Sequence, residues 1–422
     1  MFSKPLFGYH RRVLLANLAE KRCTLGIEPF FDKTRTGNTA ITPEKGRLCD
    51  SRCRQWHIGM GWRKPDGTCY ETAPREKCDS KNLKRNDGFD VDYSQRIDGG
   101  PVDVGFDYFW GTAGSLDMPP FCFIENDHTV GIPDREKHPY SPQQKRGLMT
   151  EGWRDDQVDV VFAEKACEYI KLEAGKSAQH PFFLYLTPSA PHRPCVPPEF
   201  VKGSSQAGDR GDCVQLVDWL VGKVLNALTE KGISENTLLM ISSDNGAVAT
   251  CLNGLDYGHK SNGGLRGQKA DIWEGGHREP FIAQWPGKIP PGSVCSDTVC
   301  LVDIMATCAD ITGTRIPDAA GRDSQSFCDS LMQNGNTNGG RKSLVHHSHA
   351  GMFGIRKGNW KLALGLGSGG ITLPSYIFQE PDMPEGQLYN LTDDPEEQKN
   401  LYADYPDKVV ELKAELLSTF EE

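Results

Sequence analysis

Residues 181–194 read PFFLYLTPSAPHRP, and residues 235–246 read ENTLLMISSDNG. Each contains a short continuous apolar run bounded by proline, glycine or polar residues, which predicts a strand buried on both faces. Between them, residues 212–231 (DCVQLVDWLVGKVLNALTEK) carry apolar residues at helical spacing, and Gly232 stands where a helix would end. Val158 to Leu172 reads as another amphipathic helix, just ahead of the first run. Helices alternating with buried strands predict an α/β fold, a mainly parallel sheet between helices.

After about Leu331 the character changes. QNGNTNGGRKS at 333–343 reads as a linker, and LVHHSH, FGIRKGNWKLAL and QLYNL beyond it have strand character. YPDKVVELKAELLSTF at 405–420 is an amphipathic helix. The expected layout is an atypical, poorly ordered segment over 1–55, a large α/β domain over 56–335, and a small antiparallel sheet with a helix over 336–422. Within the first segment, Val13 to Leu18 has helical character, and ITPEKGRLCDSRCRQ shows neither period.

The chain has 422 residues, enough to bury a large core without staples, and a formal net charge of −10, which argues against a nucleic-acid partner. An anionic substrate would need local cations to offset that field. The 14 cysteines are scattered, so spacing assigns neither a zinc site nor a disulfide pattern. No apolar run is long enough for a membrane span, and MFSKPLFGYHRRVLLANLAEKR lacks the h-region and cleavage site of a signal peptide, so the chain as written reads as cytoplasmic.

Three segments could carry chemistry. In open α/β sheets ligands bind at the carboxyl ends of strands. Asp244 and Asn245 follow the second apolar run and offer a carboxylate and an amide oxygen to a hard cation such as Ca²⁺ or Mg²⁺. Taken alone, the SDNG tetrapeptide reads more readily as a plain Asx turn. His192 lies in the proline-stiffened loop after the first run. GGLRGQKADIWEGGHREP at 263–280 adds Arg266 and Lys269 as cationic donors to an anion.

These three segments, in this order and spacing, resemble the sulfatase family. WHIGMGW at 56–62, GFDYFWG at 105–111, SLDMPPF at 115–121, VDWLVGKVLNAL, LVDIMATCADITG and QLYNLTDDPEEQKNL extend the resemblance from about Trp56 to the end. The resemblance implies an alkaline-phosphatase-like fold and hydrolysis of aryl or carbohydrate sulfate esters, with a sulfated small molecule or glycan as partner. It implies Asp244 and Asn245 as ligands of a divalent cation, usually Ca²⁺, and Lys269 on a sulfate oxygen. It places His192 beside the sulfate and the leaving oxygen, and His57 beside the nucleophile. Gln55 stands where the family has lysine. Asp117, His346 and His347 are candidates for substrate contact, with a turn role equally open for Asp117 and solvated strand positions the plainer reading of His346 and His347. The family is usually secreted, periplasmic or lysosomal.

The resemblance also implies a formylglycine nucleophile, made from Cys or Ser in C/S-x-P-x-R, and a strand ending in Asp-Asp. Neither is expected here. Cys49 in CDSRCR lacks the proline, and Gly131 in GIPDR has no side chain to convert. Two explanations are open: the chain begins inside a family sequence, or it is a non-catalytic relative. A phosphoesterase on the same fold is a further alternative. Catalysis is expected to be impaired in the chain as written, and any Ca²⁺ site weak.

Overall fold

The computed structural model describes residues 11–17, 49–55, 60–68, 88–142, 144–176, 181–248, 257–317, 320–332 and 340–420, the first two stretches for their backbone alone. In chain order the strands begin with β1 (Arg11–Asn17), β2 (Cys49–Gln55), β3 (Tyr108–Thr112), β4 (Ile124–Glu125) and β5 (His128–Thr129). A short hairpin, β6 (Arg135–Lys137) and β7 (Gly147–Met149), leads to α1 (Val158–Ala174), β8 (Phe182–Thr187), α2 (Gly208–Glu230) and β9 (Thr237–Ser243). Then come α3 (Glu274–His277), β10 (Phe281–Gln284), α4 (Ile304–Thr312) and α5 (Cys328–Met332). The C-terminal unit holds β11 (Ser343–His347), β12 (Phe353–Lys357), β13 (Trp360–Ala363), β14 (Gln387–Asn390) and α6 (Pro406–Ser418).

The large sheet runs β10-β9-β1-β8-β2-β3-β4-β5. β2 is parallel to both β8 and β3, and β1 is antiparallel to both β8 and β9, so β3, β8 and β9 all point the same way. Their carboxyl ends therefore share one edge. β10 and β4 oppose that direction. The helical character of Val13 to Leu18 is overridden: Arg11–Asn17 is a strand, because the gap between β8 and β9 offers ladder partners on both sides. β1 and β2 both precede Trp56, and neither ends in Asp-Asp.

Both apolar runs are buried on two faces, as their composition requires. Phe182, Leu184 and Leu186 of β8 and Leu239 and Ile241 of β9 pack with Phe162, Ala166 and Ile170 of α1 and Leu220, Val224 and Leu228 of α2. The alternate residues Phe183, Tyr185, Leu238 and Met240 face Trp285, Phe327 and Cys308 of α4. Each large side chain so buried contributes about 2 kcal/mol. The helix read over 212–231 starts earlier, at Gly208, and closes with Gly232 at φ 66, whose N–H bonds the Thr229 carbonyl at 3.0 Å while the Ile233 N–H bonds Leu228 at 3.1 Å.

β11 to β14 form an antiparallel meander, and FGIRKGNWKLAL divides at Gly358, φ 57, into β12 and β13. Val409, Leu412 and Leu416 of α6 pack on Ile355, Leu362 and Leu388. The QNGNTNG part of the expected linker lies outside the described residues. No described helix is long and apolar enough to cross a membrane.

The C-terminal unit is joined to the large sheet through a buried charge cluster. Lys361, 1% exposed, pairs with Glu274 at 3.0 Å and Glu397 at 2.8 Å. Burial pushes the Glu274 carboxyl up, but Lys361 and Arg356 outweigh it and hold it below the usual range. Glu397 stays raised because burial dominates there.

Candidate active site

β9 delivers Asp244 and Asn245 to the carboxyl edge of the sheet. The Ser243 hydroxyl donates to the Asn245 carbonyl at 3.1 Å, and the Asn245 amide nitrogen donates to the Gly246 carbonyl at 3.2 Å. That commits the amide nitrogen to the backbone and leaves Oδ1 as the acceptor of the Asn245 side chain. Beside them lies Glu279, just before β10. Burial, reinforced by the charge of Asp244, pushes its carboxyl up to about 8, against a Ser243 hydrogen bond that lowers it. Glu279 Oε1 is buried without a hydrogen-bond partner.

The Gly-rich loop packs directly on this turn. The Gly246 N–H bonds the Gly276 carbonyl at 2.9 Å, and a Cβ at Gly246 would stand 1.8 Å from the Gly275 carbonyl oxygen. Only glycine allows that approach. Asn262 clamps the two segments: its Oδ1 accepts the Ala247 N–H at 2.8 Å, and its Nδ2 donates to the carbonyls of Ala247 at 2.9 Å and Gly267 at 3.1 Å. Lys269 is half-buried, and its N–H reaches the Ala247 carbonyl at 3.4 Å. The next residue, Ala270, has φ 82, a left-handed conformation costing about 1 kcal/mol or more for a residue with a side chain. Its carbonyl is held by the His349 N–H at 2.8 Å, and Asp271 accepts the N–H groups of Ile371 at 2.8 Å and Thr372 at 3.1 Å. The strained backbone beside Lys269 is thus held in place by the C-terminal unit.

Arg266 is not an anion ligand in this arrangement. Its guanidinium donates to the Glu397 carbonyl at 2.6 Å and the Tyr389 hydroxyl at 3.3 Å, and stacks 3.8 Å from the Trp273 ring centroid. A planar cation fits that aromatic and carbonyl niche, so it fastens the loop to the C-terminal unit.

β8 delivers the other wall. Asp159, in the first turn of α1, accepts the N–H groups of Ser189 at 2.6 Å and Ala190 at 2.8 Å, and the His192 N–H bonds the Ser189 carbonyl at 3.0 Å. Asp159 is fully buried, and burial pushes its carboxyl up to about 6 although both N–H bonds pull it down. His192 Nδ1 lies 2.7 Å from the Arg193 carbonyl, a contact that requires a proton on Nδ1. Asp117, also buried, faces His192 Nδ1 at 3.9 Å and Arg193 Nε at 3.7 Å, and the Ser115 hydroxyl donates to it. The structure brings Asp117 to His192, which spacing could not foresee. β8 and β9 are two strand positions apart, so the two walls stand about 10 Å from each other at their roots.

The remaining candidates divide. His57 lies outside the described residues. His346 is not a solvated strand residue: both ring nitrogens are buried and unpartnered, its ring centroid is 4.0 Å from that of His277, and burial with the nearby Lys361 charge pushes it down to about 3. His347 is exposed, with Nδ1 2.8 Å from the Ser348 carbonyl, while exposed His349 meets the Lys269 loop through its backbone.

Among the described residues, neither candidate for the nucleophile fits this site. Cys49 pairs with Phe182 at the amino end of β8, whereas His192 and Asp244 lie beyond the carboxyl ends. Six residues of strand separate those edges by about 20 Å, so Cys49 does not fit a formylglycine at this site. Ser189 to Arg193 does read S-x-P-x-R, contrary to the expectation that no such motif is present. The Ser189 hydroxyl is buried and unpartnered behind the Asp159 turn, in a residue 1% exposed, so it also does not fit. The oxygens of Asp244, Asn245 and Glu279 fit a hard divalent cation in kind, and the raised Glu279 carboxyl, with one oxygen orphaned, would give up its proton to such a cation. They are a partial set: among the described residues, no group of three or more His, Cys, Asp or Glu is arranged around a metal position.

A family profile described as Sulfatase matches residues 70–314, and one described as N-sulphoglucosamine sulphohydrolase, C-terminal, matches residues 268–422. An N-acetylgalactosamine-6-O-sulfatase of Bacteroides thetaiotaomicron is 29% identical over 407 residues, which is 86% of this chain and 73% of that protein. The N-acetylgalactosamine-6-sulfatase of Canis lupus familiaris is 39% identical over 157 residues, 37% of this chain but only 29% of that protein. A solved structure from work on the metabolism of multiple glycosaminoglycans by B. thetaiotaomicron superposes with a TM-score of 0.71 at 25% identity, covering 89% of this chain and 80% of that one. The crystal structure of a Pseudoalteromonas sulfatase shares the fold, with a TM-score of 0.61 at 21% identity over 76% and 67% of the two chains.

Proposed function

The chain belongs to the sulfatase family, and from that premise we propose that its site recognises a 6-O-sulfate ester of an amino sugar, with His192, Lys269, Asp244 and Asn245 as the working residues. The observation that carries this reading is the tight joint between the Asp244–Asn245 turn and the strained Lys269 loop, at the sheet edge that His192 also occupies. A sulfate monoester presents negative non-bridging oxygens and a poor leaving alkoxide. The Lys269 ammonium offsets the first, and a proton on the second is the most direct way to improve departure. A divalent cation held by Asp244 and Asn245, with Glu279 close by, would add charge neutralisation on the sulfate oxygens when bound.

His192 is set up for the leaving-group side. Its Nδ1 proton is committed to the Arg193 carbonyl, so donation to the leaving oxygen needs a second proton, on Nε2, and the imidazolium so formed would face the Asp117 carboxylate at 3.9 Å. Nε2 then donates to the bridging oxygen. Asp159 holds the turn that sets the ring in place. The sugar specificity rests on the names of the bacterial and canine relatives and belongs to this proposal.

A second reading has its own support. With Cys49 at the opposite edge and the Ser189 hydroxyl buried, the half-site would bind a sulfate ester and turn it over poorly or not at all. Incubation of the purified chain with N-acetylgalactosamine 6-sulfate and Ca²⁺, with released sulfate quantified by ion chromatography, separates the two. Release lost in Lys269→Ala supports hydrolysis. Binding by calorimetry without release, weakened by the same substitution, supports the non-catalytic relative. No binding and no release rejects both, and mass spectrometry of the Cys49 and Ser189 peptides checks whether either residue is converted to an aldehyde.

A further inference from the structure

Eight cysteines among the described residues are free thiols, and two of them meet. Cys195 lies three residues beyond His192 on the same turn, and Cys213 lies near the start of α2. Both are buried in one apolar cluster with Ala190, Val201, Leu216 and Val217, where the Cys195 thiol perturbs that of Cys213. Cys195 Sγ also donates to the Pro191 carbonyl at 3.5 Å, which aims its sulfur back along the His192 turn. No other pair is so placed among the described residues. Cys308 and Cys328 interact through charge without a hydrogen bond, and the raised Cys122 thiol has only burial to account for it.

We propose that Cys195 and Cys213 are an oxidisable dithiol, a modification site at which a disulfide ties the His192 turn to α2. The chemistry follows from their unequal surroundings. The neighbouring Cys195 thiol and then burial hold Cys213 in its protonated form, well above an ordinary thiol, so it is the poorer first nucleophile. Cys195, the less buried of the two, attacks a small-molecule disulfide such as oxidised glutathione. One glutathione thiol leaves and a mixed disulfide forms on Cys195. Cys213 then loses its proton, its sulfur attacks Cys195 Sγ, and the second glutathione thiol leaves. Two protein thiols are oxidised, one glutathione disulfide is reduced, and the two thiol hydrogens end on two glutathiones.

The cross-link closes the chain from 195 to 213 in the unfolded state and restrains the turn that positions His192. In the folded state both sulfurs already lie within one packed cluster, and a disulfide needs them about 2 Å apart. Burial makes the reaction slow in the native protein, so it competes best while the chain folds.

The test is chemical and needs no turnover, so its failure leaves the proposed function untouched. The chain is incubated natively, and separately refolded from urea, in a buffer of oxidised and reduced glutathione; free thiols are blocked in denaturant and the protein is digested for peptide mass mapping. The expected result is a Cys195–Cys213 linked peptide, short of two hydrogens, in at least the refolded sample and absent after dithiothreitol. Cys195→Ser should leave Cys213 as a blocked thiol or a glutathione adduct, and Cys213→Ser should stop the reaction at the mixed disulfide on Cys195. Full alkylation of both cysteines in both samples overturns the proposal, as does either residue found linked to another cysteine instead.

Discussion

Replacing Asp159 with asparagine isolates the cost of burying the carboxylate that holds the His192 turn. Its carboxyl stands near 6 in the folded chain against an ordinary 3.8, a gap of about 2 units, or about 3 kcal/mol at 1.36 kcal/mol per unit. The folded state therefore holds this proton more tightly than the unfolded state does. Stability contributed by the group is fully present below about pH 4, is lost as pH rises through 4 to 6, and is flat above that. Asparagine cannot titrate, so wild type should lose about 3 kcal/mol relative to Asp159→Asn between pH 4 and pH 7. Near pH 7 the substitution also turns an amide NH₂ towards the Ser189 or Ala190 N–H, sacrificing one charge-assisted bond worth about 1.5–3 kcal/mol, so the two proteins should then be similar in stability. Urea unfolding of both proteins across that range measures the difference directly. A gap that does not move with pH, or a wild type that gains on the variant as pH rises, would refute the reasoning. The first would mean that the two N–H bonds balance burial, the second that they outweigh it.

Other perturbations probe the joint between the units. Lys361→Met leaves Glu274 and Glu397 buried together without their shared cation and should destabilise by about 3–5 kcal/mol, read as a lower urea midpoint. Gly246→Ala drives a methyl against the Gly275 carbonyl, which is backbone and cannot rotate aside. It should cost about 1–3 kcal/mol and weaken Ca²⁺ binding measured by calorimetry, whereas unchanged binding would separate the Asp244–Asn245 turn from the Lys269 loop.

The two buried strands were legible because continuous apolar runs such as FFLYL and LLMIS have few alternatives once proline and glycine bound them. α1, α2 and α6 were legible from their apolar period, as was the end of α2 from Gly232. Arg11–Asn17 was not, because VLLA suits a helix as well as a strand and only the gap between β8 and β9 decided it. Arg266 and His346 were misread for a related reason. A cation in a Gly-rich loop and a histidine in a polar tract look solvated until the C-terminal unit closes over Trp273 and His277.

The supporting residues were missed altogether. Asp159 sits thirty residues before Ser189, Asn262 lies in an unremarkable SNGG, and Glu279, inside the family-like loop, drew no notice beside its cations. The only signal for Ser189 was its literal S-x-P-x-R, and the fold buries that hydroxyl.

By itself the sequence determined the family, the α/β class and which short segments carry oxygen donors, cations and an imidazole, because those depend on local composition, order and period. The tertiary structure alone decided which of those groups face the shared edge and which are consumed by packing. It put Cys49 at the far end of its strand, turned Arg266 onto Trp273, sealed His346 against His277 and set Asp117 against His192. The physical reason is that orientation and burial arise from contacts between segments far apart in the chain, to which local pattern is blind.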